Sequence, residues 1–199
     1  MKKKLKAELW DKMQYLFRDF NDRVIHFELR YQYDIDEEVL KTVIDHAFCQ
    51  VPILHSTFKD YRLSAYWQVN EASAEEALTA KTVPASALEN SITDFFMQAI
   101  PADSKYQIKF GLFKSEGNSV LCLIANHMCM DGSDFKSFVY RFCENYCKVL
   151  NKEELIPYRN GRRAYDTIYK DMTPEDRKKA TSLYKNINEK DDTKFPFTA

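Results

Sequence analysis

The sequence predicts an α+β fold: a two-layer sandwich with a mixed or antiparallel sheet and helices packed mainly on one face. Three observations carry that expectation. Residues 120–125 are a continuous apolar run of strand length, as expected of a central strand buried on both faces. Residues 106–114 and 119–127 flank Ser115-Glu116-Gly117-Asn118, a hairpin loop. A helical period comes next at Phe135, Phe138, Val139, Phe142, Tyr146 and Val149. The chain has 199 residues, enough for one domain or two small ones, and its 14 Phe and 12 Tyr supply core bulk that argues against global disorder.

Taken in order, Leu5, Leu9, Met13, Leu16, Phe17 and Phe20 fall at helical spacing and give one apolar stripe, which Asn21-Asp22 ends. Val24, Ile25, Phe27, Leu29, Tyr31 and Tyr33 mostly alternate, which predicts a half-buried strand. A helix over 36–50 turns Val39, Leu40, Val43, Ile44, Ala47 and Phe48 inward, and Pro52 closes it. Residues 57–69 alternate and read as one long strand or a hairpin. Residues 71–87 are small and polar and read as a loop with possible short pieces. Residues 88–100 are helical, 101–104 form a turn, and the hairpin comes after it. Ser133 is placed to cap a helix over 134–150. After Asn151 the composition turns to Lys, Arg, Asp and Glu, with helical stretches near 165–170 and 174–188.

Composition excludes several functions. Twenty-nine basic residues stand against thirty acidic ones, for a net charge of −1, without the basic excess that duplex binding uses to displace counterions. No nucleic-acid partner is expected. The four glycines, Gly111, Gly117, Gly132 and Gly161, match neither a phosphate-cradling loop nor a dinucleotide fingerprint, and no serine elbow is present. Met1-Lys2-Lys3-Lys4 resembles the start of a leader. Glu8, Asp11, Lys12, Arg18 and Asp19 interrupt the stretch from Leu5 to Phe20, so no secretory signal is read and the five cysteines are expected as free thiols. No run approaches 18 apolar residues, so no membrane span is expected, and the expected location is the cytoplasm.

Chemistry concentrates in residues 121–133. A buried strand delivers His127 at its end, a turn with Asp131 and Gly132 comes next, and a helix begins. A strand end fixes the backbone and opens toward a cleft, which suits a histidine acting as general base near neutral pH. The pattern Asn126-His127-x-x-x-Asp131-Gly132 resembles the His-His-x-x-x-Asp-Gly motif of the chloramphenicol acetyltransferase-like superfamily. That group includes nonribosomal peptide condensation domains and alcohol acyltransferases. Val51-Pro52-Ile53-Leu54-His55-Ser56-Thr57-Phe58 is similar to the condensation-domain pattern His-Pro-x-Leu-Arg-Thr-x-Phe.

The resemblance implies a chloramphenicol acetyltransferase-like lobe. Residues 1–150 would be the N-terminal lobe, and 151–199 a charged, partly helical linker or arm toward a second lobe absent from this chain. It implies an acyltransferase moving an acyl group from a coenzyme A or carrier-protein phosphopantetheine thioester to a hydroxyl or amine. His127 would be the catalytic base, with no metal and no permanently bound cofactor. Asp131 would be structural, paired with a basic residue, and Gly132 would permit the close turn. Asn126 stands where the motif has its first histidine, and His55 where the upstream pattern has arginine, so Arg62 or Arg30 becomes the candidate partner of Asp131. A second lobe or self-association, as in a trimer, would complete the site. The alternative is a non-catalytic binding or assembly module that keeps the fold.

Other residues carry structural expectations. Cys143 and Cys147, four apart on one helix, do not form a zinc knuckle. Cys129 packs under the motif turn, and His26 and His46 are structural. Tyr61, Tyr66 and Trp67 pack rather than stack bases, and Arg159, Arg162 and Arg163 form a solvated cluster.

Overall fold

In the computed structural model, the described residues are 3–20, 23–61, 64–158 and 172–189. The chain divides into two units, Met1–Asn160 and Gly161–Ala199. The first unit runs β1 (Lys4–Lys6), α1 (Leu9–Leu16), β2 (Val24–Tyr31), α2 (Glu37–Gln50), a 3₁₀ turn (Pro52–His55), β3 (Ser56–Lys59) and β4 (Tyr66–Val69). It continues with α3 (Ala74–Ala77), β5 (Leu78–Thr82), α4 (Ala85–Phe96), β6 (Ile108–Ser115), β7 (Asn118–Asn126) and α5 (Gly132–Leu150). The described part of the second unit is a helix, α6 (Pro174–Glu189), opened by a reciprocal cap in which Thr173 and Asp176 each accept the other's backbone N–H. The helical stretch expected at 165–170 and the arginine cluster at 159–163 lie outside the described residues.

The larger sheet has the order β2-β7-β6-β5, and a smaller one has the order β1-β4-β3. Within the larger sheet β7 is central and antiparallel to both neighbours, while β5 joins β6 in parallel, so the sheet is mixed. Leu121, Leu123 and Ala125 face α2 and α5; Val120, Cys122 and Ile124 face α4 through Ile92 and Phe95. Because both faces are covered, the strand reads as an unbroken apolar run. Glu116 and Gly117, both at positive φ, make the two-residue β6–β7 turn, a geometry that matches strand twist.

Several expectations shift. The segment 57–69 is the hairpin of β3 and β4. The expected loop at 71–87 holds α3, β5 and the start of α4. An edge strand such as Leu78-Thr79-Ala80-Lys81-Thr82, half-buried to exposed, has no reason to alternate. The stripe on α1 faces outward: Leu16 is 67% exposed and Phe20, just beyond the helix, 81%. The inward residue is Asp11, fully buried, whose carboxylate accepts from the Trp67 indole N–H and the Glu8 amide N–H, both at 2.9 Å. Within the first unit, residues 151–158 pack beside α5. Buried Asn145 pairs both ways with the Ile156 backbone, and Tyr158 stacks on Phe138 at 5.1 Å.

Candidate active site

His127 lies one residue beyond the last pair of the β2–β7 ladder, Val24 with Asn126. Its backbone N–H donates to Arg23 O at 2.6 Å, which anchors the residue where the two strands end. The half-buried ring lies against Trp10 of α1, centroids 6.1 Å apart and planes tilted by 50°. Its Nδ1 is buried and has no hydrogen-bond partner among the described residues. A neutral imidazole carries one lone pair able to take a proton, so a ring held by strand backbone on one side and an indole on the other has the composition of a general base. Beside it, the Arg23 guanidinium donates to Met128 Sδ at 3.5 Å, and burial lowers its pKa from the ordinary arginine value.

Below the histidine, Asn126 is fully buried, and its amide is fully engaged. Nδ2 donates to Gln107 Oε1 at 2.9 Å and to Ile100 O at 3.2 Å, while Oδ1 accepts the Met128 N–H at 3.0 Å. The last bond closes the turn after His127. Gln107 is equally buried, and its Nε2 donates to Ser56 O, Ser104 O and Ala102 O at 2.9, 3.0 and 3.3 Å. Its backbone N–H reaches Leu54 O at 2.7 Å. Two buried amides therefore join the upstream Pro52–Phe58 segment to the end of β7. Neither Gln107 nor Trp10 is signalled by the sequence, since a lone glutamine at a strand entrance and a tryptophan on a short helix carry no periodicity.

Asp131 is exposed, and its Oδ1 accepts the Asp134 N–H at 2.8 Å, so it is the N-cap of α5. That corrects the assignment of the cap to Ser133: the helix starts at Gly132, and Ser133 lies inside its first turn. A carboxylate there also complements the positive end of the helix dipole. Among the described residues Asp131 has no ion pair. Arg30 is committed elsewhere, bidentate to Glu89 at 2.6 and 2.9 Å and paired with Glu28, which raises its pKa; Arg62 lies outside the described residues. His55 is nearly buried, its ring nitrogens 2.7 Å from Asn70 O and 3.1 Å from Phe48 O. It therefore ties the 3₁₀ turn to α2 and is not a partner of Asp131. At Gly132 an added Cβ would meet no atom within 4 Å, so the turn itself does not require the glycine.

The remaining candidates are structural. Cys129 is buried with its Sγ against Asn126 O, and burial pushes the Cys122 thiol up to about 12. His26 and His46 hydrogen-bond the carbonyls of Phe96 and Ile156. Tyr61 and Tyr66 stack on each other at 5.8 Å. Among the described residues no group of three or more His, Cys, Asp or Glu could hold a metal ion, and no helix is long and apolar enough to cross a membrane.

The family model of the condensation domain matches residues 12–184. The chain belongs to the condensation-domain family. This condensation-domain chain is similar in fold to the first condensation domain of the CDA synthetase (14% identity, TM-score 0.69), covering 92% of the present chain and 51% of that one. It is similar to the tallysomycin biosynthesis protein TlmII (15% identity, TM-score 0.68), with 93% and 46% covered. It also resembles the epimerization domain from the third module of tyrocidine synthetase B (13% identity, TM-score 0.69), with 100% and 47% covered. The chain thus spans about half the length of these structures. Among curated proteins none matches.

Proposed function

We propose that this condensation-domain chain is the N-terminal lobe of an acyltransferase in which His127 is the general base. A hydroxyl or amine attacks the carbonyl carbon of an acyl thioester while a His127 ring nitrogen takes its proton. The C–S bond then breaks, and the imidazolium returns the proton to the departing thiolate, giving an ester or amide and a free thiol. The donor is a phosphopantetheine thioester on a carrier protein or on coenzyme A. Asp131 and Asn126 hold the turn that presents the histidine. A second lobe, or a second copy of this chain, supplies the facing wall and the oxyanion donors.

The observation that carries this reading is the anchoring of His127 from below by the Asn126–Gln107 pair in a chain of this family. A second reading, a binding or assembly module that keeps the fold without a complete active site, draws on the chain spanning only about half the length of the structures it resembles. Mass analysis of products separates the two. The complete natural polypeptide carrying this chain is incubated with acyl-coenzyme A or acyl-pantetheine and pooled amines and alcohols. Acylated acceptor that disappears in His127→Ala supports the enzyme; no acylated acceptor from the folded polypeptide leaves the module.

A further inference from the structure

At the other end of the larger sheet from His127, a cavity of about 100 Å³ opens between β2, α2, β7 and the C-terminal half of α5. Leu121 on its wall lies five residues before Asn126, roughly 17 Å along an extended strand, so the cavity is no part of the histidine site. Leu40, Leu121 and Phe142 are buried and form its apolar depth, while Tyr33 and Cys147 are exposed and mark its rim. Polar atoms are few and specific. Tyr31 Oη and Cys143 Sγ lie 3.7 Å apart. Tyr146 Oη accepts the Asp36 N–H at 2.8 Å, and its own proton has no acceptor among the described residues.

Such a lining selects a ligand. Burial raises the pKa values of Tyr31, Cys143 and Tyr146, so these groups are uncharged at neutral pH. An anion entering here would lose its water without a cation to receive it. The volume is somewhat below that of the roughly 150 Å³ apolar cavity that holds benzene, which suits one small ring or a short alkyl group. We propose that this cavity binds a small uncharged molecule with an apolar body of one ring and a single hydrogen-bond acceptor. The body lies against Leu40, Leu121 and Phe142, and the acceptor takes the Tyr146 hydroxyl proton.

The test is saturation-transfer NMR on the full chain with cyclohexanone, benzene and cyclohexanecarboxylate as probes. Cyclohexanone and benzene should bind saturably, with the carboxylate at least about tenfold weaker. Cys143→Phe fills the cavity and should abolish both; Cys147→Phe, at an exposed rim position, should block the mouth if the first variant does not fold. Tyr146→Phe should weaken cyclohexanone roughly five- to tenfold and leave benzene unchanged, a selectivity that a purely structural role would not produce. The proposal is overturned by absence of saturable binding, by binding that survives the filling variants, or by a carboxylate that binds as well as the ketone. Equal weakening of ketone and benzene by Tyr146→Phe would overturn the assignment of the donor.

Discussion

Asn126 Nδ2 donates to Gln107 Oε1 at 2.9 Å, and both side chains are fully buried beneath the turn that carries His127. An asparagine at the motif's first position is thus a structural member whose donors and acceptor all have partners. Gln107→Leu leaves the Asn126 amide and three backbone carbonyls short of a donor or acceptor, so it should cost about 2–3 kcal/mol. Asn126→Leu should cost a similar amount, and the double variant clearly less than the sum, because the two act on one network. Urea unfolding of the three variants checks this; strict additivity would show that the pair is not a unit.

Asp11 should matter for stability more than any apolar residue of α1. Asp11→Ala leaves the Trp67 indole N–H buried without an acceptor and should destabilise by about 1–3 kcal/mol, whereas Asp11→Asn keeps an oxygen there and should recover part of the loss. Trp fluorescence during denaturant unfolding reads both. Equal losses for Ala and Asn would count against the hydrogen bond as the cause.

The outward stripe on α1 gives the opposite expectation. Leu16→Lys and Phe20→Lys should change folding stability by no more than about 0.5 kcal/mol, since these side chains are largely exposed. Thermal unfolding decides it: a loss of several kcal/mol would mean that the stripe is covered within this chain.

Much of the site is legible in the sequence, and the reasons are physical. β7 is apolar on both faces because helices cover both, and α5 has a strong apolar period, although its cap is Asp131 and not Ser133. The motif between them is therefore visible in residues 121–133. β1 and β5 are not, because edge strands are short and need not alternate. Periodicity misplaces α1 because it assumes that apolar stripes turn inward, while a carboxylate held by an indole can be the buried residue. The Gln107–Asn126 contact joins the residue just before β6 to the last residue of β7, and a single amide in each place carries no periodicity.

Alkaline pH should unfold the protein earlier than ordinary thiols and phenols would require. Burial pushes Cys122 up to about 12 and raises Tyr31 and Tyr158 above their ordinary values, so the folded state keeps these protons where the unfolded chain releases them. That stability is fully present below the unfolded pKa, near 8.5 for a thiol and 10 for a phenol, and is lost as pH rises through the folded values. Melting temperature should fall steadily from about pH 9 upward, and Cys122→Ala should flatten the early part of the fall. A melting temperature constant to about pH 11 would contradict the assignment.

In the proposed reaction His127 takes the acceptor's proton during acyl transfer. The most direct test is the rate of acceptor-dependent thiol release by the complete natural polypeptide and by its His127→Ala variant, with melting curves showing both folded. A loss of about 10²- to 10⁴-fold is expected in the variant, the size of a general-base contribution. Rates equal within a few-fold would contradict it and assign the proton transfer to another group.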